Sequence, residues 1–567
     1  MSDRVTITCN GEEVALDVAP GESLLTALRE RLGLSSVKDG CAPQGQCGCC
    51  TVLVDGDPRV ACVTPVVRVA GRSVTTVEGL APAVRDGLGD AFVATGGSQC
   101  GFCTPGIVMR AAALIDKGKT RPVDLDRALA AHLCRCTGWR TIYDAVQRPA
   151  APVRDLDAAS QRARLEGGVP QRVGTDVPLG GGGFADDTAP PGALVAVPLP
   201  PGAEAVGAIE GNGLHWVVAD SLFEARERAG KVQGRRTTID ETPPLPLPER
   251  PAGGVRLATS WVEPAYLEPD ASWCEPGGEP ASPLANGGAF GGKETSPVPG
   301  AARALADHLG RPVRAVFSRE DVVRLGPKRC PIAATAVFDG RRVTIEGTVG
   351  AGAEWPAFES SPYTFEVEAR WESIALAGPP TSNHLRAAGL AEHVVLVEGA
   401  LSEAGADRAA LVRDEHAAAV LLDNYVANDD GARAGARVRI GASGAIEGVD
   451  IRVAAGDPLD DIVLRSYAIG AAHMALGWVL SEGIAVDPDT GEVHDLTIRS
   501  FGILRAKDTP PIEVTVVDDP GPPRARSSDA VFAAVAAAAW DALTAAAGER
   551  PETFPARTTR AGRRLRR

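Results

Sequence analysis

The sequence predicts a multidomain α+β protein: a small β-rich unit, a helical unit, and a larger region of mixed α/β character. Three observations carry this prediction. Residues 1–75 alternate apolar and polar positions around tight turns, and residues 78–147 show helical apolar spacing. Beyond residue 171 glycine and proline become frequent around short strands. Ten of the twelve cysteines fall within the first two units, and eight of them form two sets of four. A chain of 567 residues has ample material for several large cores.

In the first unit Val5, Ile7 and Cys9 alternate with Thr6 and Thr8. Asn10-Gly11 then offers a tight turn before Val14, Leu16 and Val18. Leu24, Leu25, Leu28 and Leu32 share one face of a helix predicted over 22–32. After a cysteine-rich loop come a strand at 51–54, a turn at 55–58, and a strand ending near Cys62. Strand, hairpin, helix and cysteine loop together describe a ferredoxin-like β-grasp unit over 1–76. In the helical unit, 77–147, Pro105-Gly106 opens one helix. Leu125, Leu129 and Leu133 predict another that runs into Cys134.

Residues 148–170 are polar and weakly periodic, which predicts a linker. The region 171–550 reads as mixed α/β with strands such as 193–197 and 342–347 and breaks near 250 and 370. The proline-rich stretch 243–251 reads as a linker. The basic tail, 551–567, crowds Arg557, Arg560, Arg563, Arg564, Arg566 and Arg567 together, and reads as a solvated end in preference to a docking element.

The first cysteine set is Cys41-x5-Cys47-x2-Cys50-x11-Cys62; the second is Cys100-x2-Cys103 with Cys134-x-Cys136. A cysteine-rich loop plus a distant cysteine is how iron–sulfur proteins supply four thiolates. Gly40, Gly45 and Gly48 let the backbone wrap such a cluster. Cys49 competes with Cys50 on position, and Cys50 keeps the x2 interval. Zinc is the alternative occupant, in a metal-stapled interaction module. Cys9, Cys49, Cys274 and Cys330 read as small buried hydrophobes or spare thiols.

Net charge is −15, from 58 basic and 73 acidic residues, which argues against nucleic acid or an anionic membrane as partner. The most apolar run, 530–540, is too short and alanine-rich to span a bilayer. Residues 1–10 read as a strand and not as an export signal, and the cysteines stand at metal-ligand spacing. Together these predict a soluble cytoplasmic protein.

Three runs carry a resemblance. Lys38-Asp39-Gly40-Cys41 through Gln46-Cys47-Gly48-Cys49-Cys50-Thr51-Val52 is similar to the first-cluster signature of the xanthine oxidase family of molybdenum hydroxylases. Residues 99–106, Gln99-Cys100-Gly101-Phe102-Cys103-Thr104-Pro105-Gly106, and 133–138, Leu133-Cys134-Arg135-Cys136-Thr137-Gly138, resemble its second-cluster signature. The resemblance implies a β-grasp domain and a helical bundle, each with a 2Fe–2S cluster, and a pterin touched by Gln99 and Cys100. Further on it is piecemeal. Residues 287–294, which include Gly288, Phe290, Gly291 and Gly292, resemble the family's Gly-rich loop beside the metal, although such a run can also be a plain turn between strands. Residues 318–321 and 326–329 follow where the family has a similar run. Residues 385–389 resemble its Arg-x-x-Gly loop, with Arg386 in the arginine position. Residues 473–482 and 508–512 look like segments near its C-terminus. By the same resemblance 171–250 is a hammerhead-like α/β domain and 251–550 an abbreviated molybdenum-cofactor-binding-like region.

The departures are as informative. No Gln-x-Pro element precedes Gly287, no Gly-Gln-Gly loop is present, and no flavin domain is apparent. Where the family has a catalytic Glu, the chain has the run 524–530, in which Asp529 either replaces it or caps a helix over 530–546. The resemblance therefore implies an iron–sulfur electron-transfer component of a molybdenum hydroxylase complex. Its partners would be a flavin-binding or molybdenum-bearing subunit and a small-molecule substrate. The alternative is a self-contained molybdopterin-dependent hydroxylase of N-heterocycles or aldehydes.

Overall fold

A computed structural model describes residues 3–147, 154–200, 202–231, 237, 239–350, 355 and 363–565. The first unit is a five-stranded sheet. Its strands run in the order Glu12–Val18, Asp3–Cys9, Ser73–Thr75, Thr51–Val54, Asp57–Val60. Asn10 and Gly11 both take positive φ, the geometry that a two-residue hairpin with matched twist requires. The predicted helix is shorter than its apolar spacing suggested. Leu24–Thr26 passes into a π-helical turn, Ala27–Arg31, with Leu24, Leu25 and Leu28 buried beneath the sheet.

The second unit contains the helices Pro82–Thr95, Thr104–Asp116, Pro122–Ala128 and Arg140–Gln147. Leu125, Leu129 and Leu133 are all buried, but the α-helix stops at Ala128 and one 3-10 turn follows. His132 is extended, and the Leu133 amide leaves the helical ladder to donate to Cys47 O at 2.9 Å. A tertiary hydrogen bond has overridden the local periodicity.

The expected linker is not a linker where it is described. Leu156–Gly167 is a helix, capped by the Asp155 side chain and ended by Gly168 at φ +69. Ala159 and Ala163 pack on Val463 and Tyr467 of the long helix Asp461–Leu480. Its weak apolar signal has a physical cause: part of the buried face is an ion pair, Arg162 with Glu166, both side chains 0% exposed. Residues 148–153 lie outside the described set.

The expected break at 250 does not separate two folding units. One sheet draws strands from both sides of it, in the order Asp270–Cys274, Val313–Phe317, Leu194–Pro198, Leu214–Ala219, Ile209–Gly211. Gly254–Thr259 lies between these strands in sequence but joins a third sheet, beside Ile332–Phe338, Arg342–Gly350 and Glu366–Ile374. The expected break at 370 falls inside that last strand. A four-stranded sheet, Val426–Ala427, Arg433–Ile440, Ile446–Ala454, Ile512–Val516, completes the C-terminal half.

The run read as too short to span a bilayer belongs to the 21-residue helix Ser527–Ala547. That helix and Asp461–Leu480 are long and apolar enough to cross a membrane by length and composition, yet both are mostly buried, packed on one another in the core. The solvated tail is also corrected. Thr553–Phe554 pairs with Gly254–Thr259, Phe554 is buried against Trp478 and Trp540, and Arg557 pairs with Glu241. Arg560–Leu565 is helical, and Arg566 and Arg567 lie outside the described residues.

The cysteine-bearing units are fixed to the rest by buried charge. Arg29 pairs with Asp186 at 2.7 Å and Asp187 at 3.0 Å; Lys38 also pairs with Asp187; and Arg314 reaches Glu30 at 2.9 Å. Gln44, in the first cysteine loop, donates to Leu496 O at 2.9 Å and accepts from Ile498 N at 3.2 Å.

Candidate functional site

In the first set the loop curls back on Cys41, whose sulfur accepts from the amides of Gln46 and Cys47, each at 3.3 Å. The Cys41 thiol bonds with the thiols of Cys47 and Cys62, and Cys62 also reaches Cys50. Receiving these bonds holds the Cys41 thiol well below its ordinary range. Cys49 is buried too, with its own bond to the Cys47 thiol. Two glycines show how tightly the loop is enclosed. A Cβ on Gly48, at φ +75, would lie 2.6 Å from the His132 ring, and one on Gly106 would lie 2.4 Å from Gly48 O.

In the second set Cys100 and Cys136 sulfurs stand 3.5 Å apart, while Cys103 pairs with Cys134. Thr137 Oγ1 lies 3.1 Å from Cys134 Sγ; the Cys103 bond, with help from Thr137, brings the Cys134 thiol down to about 7. Among the described residues no three His, Cys, Asp or Glu side chains converge on one point as they would around a single ion. A zinc site needs four ligands on one ion, whereas a 2Fe–2S cluster needs two thiolates on each of two irons. The pairwise grouping of the second set suits the latter. Between the sets runs the Leu133–Cys47 hydrogen bond, with His132 bonded to Thr51 at 3.2 Å and held uncharged by burial.

On the far side of Cys100 and Cys136 lies a cavity of about 810 Å³, counted to its open mouth. Gln99, Cys100, Gly288, Phe290, Gly291, Arg386 and Asp529 all line it; Gly292 does not. Gln99 Nε2 donates to Cys136 O at 3.0 Å and Ser466 Oγ at 2.9 Å, fixing the amide against the second cysteine set. Glycine at 291 is dictated by the chain's own packing, since a Cβ there would lie 1.9 Å from His384 O. The Phe290 ring lies under the Arg386 guanidinium at 4.8 Å, and Arg386 Nε is 3.9 Å from Asp529 Oδ1.

Asp529 is not the helix cap. The helix begins at Ser527 behind Arg526, which takes a left-handed conformation, and Asp529 sits inside the first turn with its carboxyl toward the cavity. Burial pushes its pKa up to about 6, against the opposing pull of Arg386. The carboxyl can therefore hold or release a proton near neutral pH.

Two groups here were not legible in the sequence. Glu166, from the supposed linker, accepts from Ser528 N at 2.9 Å and from the Ser527 hydroxyl, anchoring the helix that carries Asp529. Tyr266 is 3% exposed, lines the cavity, and its hydroxyl has no hydrogen-bond partner among the described residues. Neither residue stands in a recognisable motif, so no local signal could have singled them out.

Comparisons with known proteins agree with this geometry. A family described as "2Fe-2S iron-sulfur cluster binding domain" matches residues 7–67, and one described as "[2Fe-2S] binding domain" matches 76–147. The nicotinate dehydrogenase small FeS subunit of Eubacterium barkeri is 40% identical over 149 residues, 25% of this chain and 92% of that protein. The xanthine dehydrogenase iron-sulfur-binding subunit of Escherichia coli O157:H7 is 40% identical over 151 residues, 26% and 94% respectively. The crystal structure of the aldehyde oxidoreductase from Desulfovibrio desulfuricans matches 98% of this chain and 99% of that chain. Its TM-score is 0.74 at 16% identity, a likeness of fold. Fold and cysteine sets thus define a chain with two 2Fe–2S-binding domains joined to a mixed α/β region. The chain belongs to the xanthine oxidase family of molybdenum hydroxylases, which are oxidoreductases.

Proposed function

We propose that this chain is the iron–sulfur electron-transfer component of a molybdenum hydroxylase complex. Cys41, Cys47, Cys50 and Cys62 hold one 2Fe–2S cluster, and Cys100, Cys103, Cys134 and Cys136 hold the other. The observation that carries this reading is the 2.9 Å hydrogen bond from Leu133 N to Cys47 O. Leu133 precedes Cys134 directly, so a ligand of one cluster is joined to a ligand of the other by covalent bonds and a single hydrogen bond. So held, the clusters would supply one-electron transfer, the second taking electrons from a molybdenum centre on a partner subunit and the first passing them on. Val63, which follows Cys62 and is 49% exposed, marks the side on which a flavin-binding subunit or another acceptor would approach the first cluster. All twelve cysteines are free, in keeping with a reducing, cytoplasmic setting.

A second reading is favoured by one observation, the proton-holding carboxyl of Asp529 beside Arg386. In it the chain is itself a hydroxylase of N-heterocycles or aldehydes. The polar groups around the cavity fit a molybdenum–pterin group, and the partnerless Tyr266 hydroxyl offers it a further contact. Gln99, Cys100, Gly288, Phe290, Gly291 and Arg386 would hold the cofactor, with Gly292 set back from the cavity wall; when bound the cofactor supplies oxygen transfer to an electron-poor carbon. Asp529, ionised above pH about 6, would accept the proton released from the attacking hydroxyl, with Arg386 close by to steady the charge.

Metal and pterin analysis of the full chain, with electron paramagnetic resonance after reduction, tests both. About four irons, two distinct 2Fe–2S signals and no molybdenum are expected. Stoichiometric molybdenum and pterin would replace the first reading by the second, and zinc in place of iron would end both.

A further inference from the structure

We infer that Glu482 sets the reduction potential of the second cluster by neutralising Arg135, the residue that separates two of its ligands. The inference rests on the reading above, in which Cys134 and Cys136 bind iron.

Arg135 is drawn out of the cysteine loop into the C-terminal half. Its Nε donates to Pro264 O at 3.0 Å, Nη2 donates to Glu482 Oε2 at 2.8 Å, and Nη1 donates to Glu482 Oε1. The guanidinium lies over the Phe501 ring at 5.8 Å. The side chains are 3% and 0% exposed, so water does not screen the pair. Glu482 is seated by backbone: its amide donates to Gly477 O at 2.8 Å, and any Cβ on Gly477 would lie 2.0 Å from the carboxylate. The absence of a side chain at 477 makes the space this carboxylate fills.

A 2Fe–2S cluster on four thiolates gains one negative charge when reduced, and its potential follows the net charge around it. A guanidinium one residue from two ligands favours the reduced form, strongly so in a dry, low-dielectric surrounding. The Glu482 carboxylate cancels that charge. Other charges nearby are already matched: Glu263 by Arg319, and Glu268 by Lys293 at 3.7 Å. His473, against the same turn, bonds Leu504 O and is uncharged, and Arg140 is held by Pro510 O at 2.9 Å. Arg386 and Asp529, across the cavity, are 3.9 Å apart. The Arg135–Glu482 pair is therefore the one seated in the ligand turn itself, and no described residue of 1–147 supplies its anion.

Redox titration of the full chain, followed by the paramagnetic signal that Cys134→Ser abolishes, tests this. Glu482→Gln should make that cluster easier to reduce by tenfold or more in its one-electron equilibrium, a rise of about 59 mV. Arg135→Gln should move it the other way by a similar factor, and the double variant should lie near the wild type. The first cluster serves as the internal reference and should stay put. Single variants that leave the potential unmoved, or move it the same way, overturn the inference. If both single variants lose iron, the double variant decides, because it buries no lone charge: an unmoved potential supports the inference and a moved one overturns it. A wild-type chain with no second 2Fe–2S signal would instead remove the cluster assignment on which the inference stands.

Discussion

The two cysteine sets are built by different means. The first is largely a local object: three of its members fall within ten residues, and glycines in the same loop allow the curl around Cys41. The second is assembled from the start of one helix, at Cys103, and a loop 31 residues further on, at Cys134, and is embraced by the C-terminal half. Gln99 reaches Ser466, Asn286 Nδ2 donates to Cys100 O at 2.8 Å, and Arg135 is anchored by Glu482. A locally built centre tolerates changes elsewhere in the chain. One built across an interface reports on that interface, which makes the second set the natural point of coupling to whatever occupies the cavity.

The largest expected effect separates the two sets directly. Cys134→Ser should remove one 2Fe–2S signal and about half of about four irons, and Cys41→Ser should remove the other signal. Loss of both signals from either change would show that the sets fold as one unit and dissolve the contrast.

Next in size is the seam between the first unit and the rest. Asp187→Asn strips the shared partner from buried Arg29 and Lys38 and should cost about 3–5 kcal/mol in urea unfolding. The first cluster's spectrum should survive in the folded fraction, because its ligand loop is local. A cost within error of zero would mean that the seam does little to hold the two regions together.

Asp529 gives a pH-dependent test of the cavity side. Its folded pKa, about 6, lies above the ordinary 3.8, so its stabilising contribution is complete below pH 3.8 and is lost as pH rises through 6. Asp529→Asn should flatten that part of the stability profile and leave the variant more stable at pH 7. The ceiling is about 3 kcal/mol, trimmed by water because the carboxyl is 19% exposed. Parallel pH profiles for variant and wild type would remove the proton-holding role.

The smallest effect is the control. Arg342 and Glu366 form an exposed pair at 2.8 Å on a sheet edge, and Glu366→Gln should change stability by less than about 1 kcal/mol. A larger change would blur the distinction drawn between buried and exposed charge.

Much of the first 147 residues was legible because their determinants are near neighbours in sequence. Alternation in residues 5–9, the Asn10-Gly11 turn and the cysteine spacings all act over a few residues. What failed there failed where a distant group intervened, as when Cys47 O drew Leu133 out of its helix. Beyond 147 the periodic signal fades for a definite reason. An apolar stripe marks a buried face only where that face is apolar, and the helix Leu156–Gly167 buries alanines with an ion pair; the sheet that crosses residue 250 is interleaved with a strand of another sheet. The Gly-rich run at 287–292 was visible, but the close approach of His384 O, which by itself demands glycine at 291, was not.

By itself, then, the sequence determined the two cysteine sets, the β-grasp and helical units, and the family to which the chain belongs. These are encoded in spacing, and spacing is read along the chain. Tertiary structure alone decided which side of the second set faces the cavity, that Asp529 lines it while serving no cap, and that Glu482 stands against Arg135 from 347 residues away. The physical reason is that burial and charge pairing depend on distance in space, and a single chain carries no mark of which far residue will remove water from another.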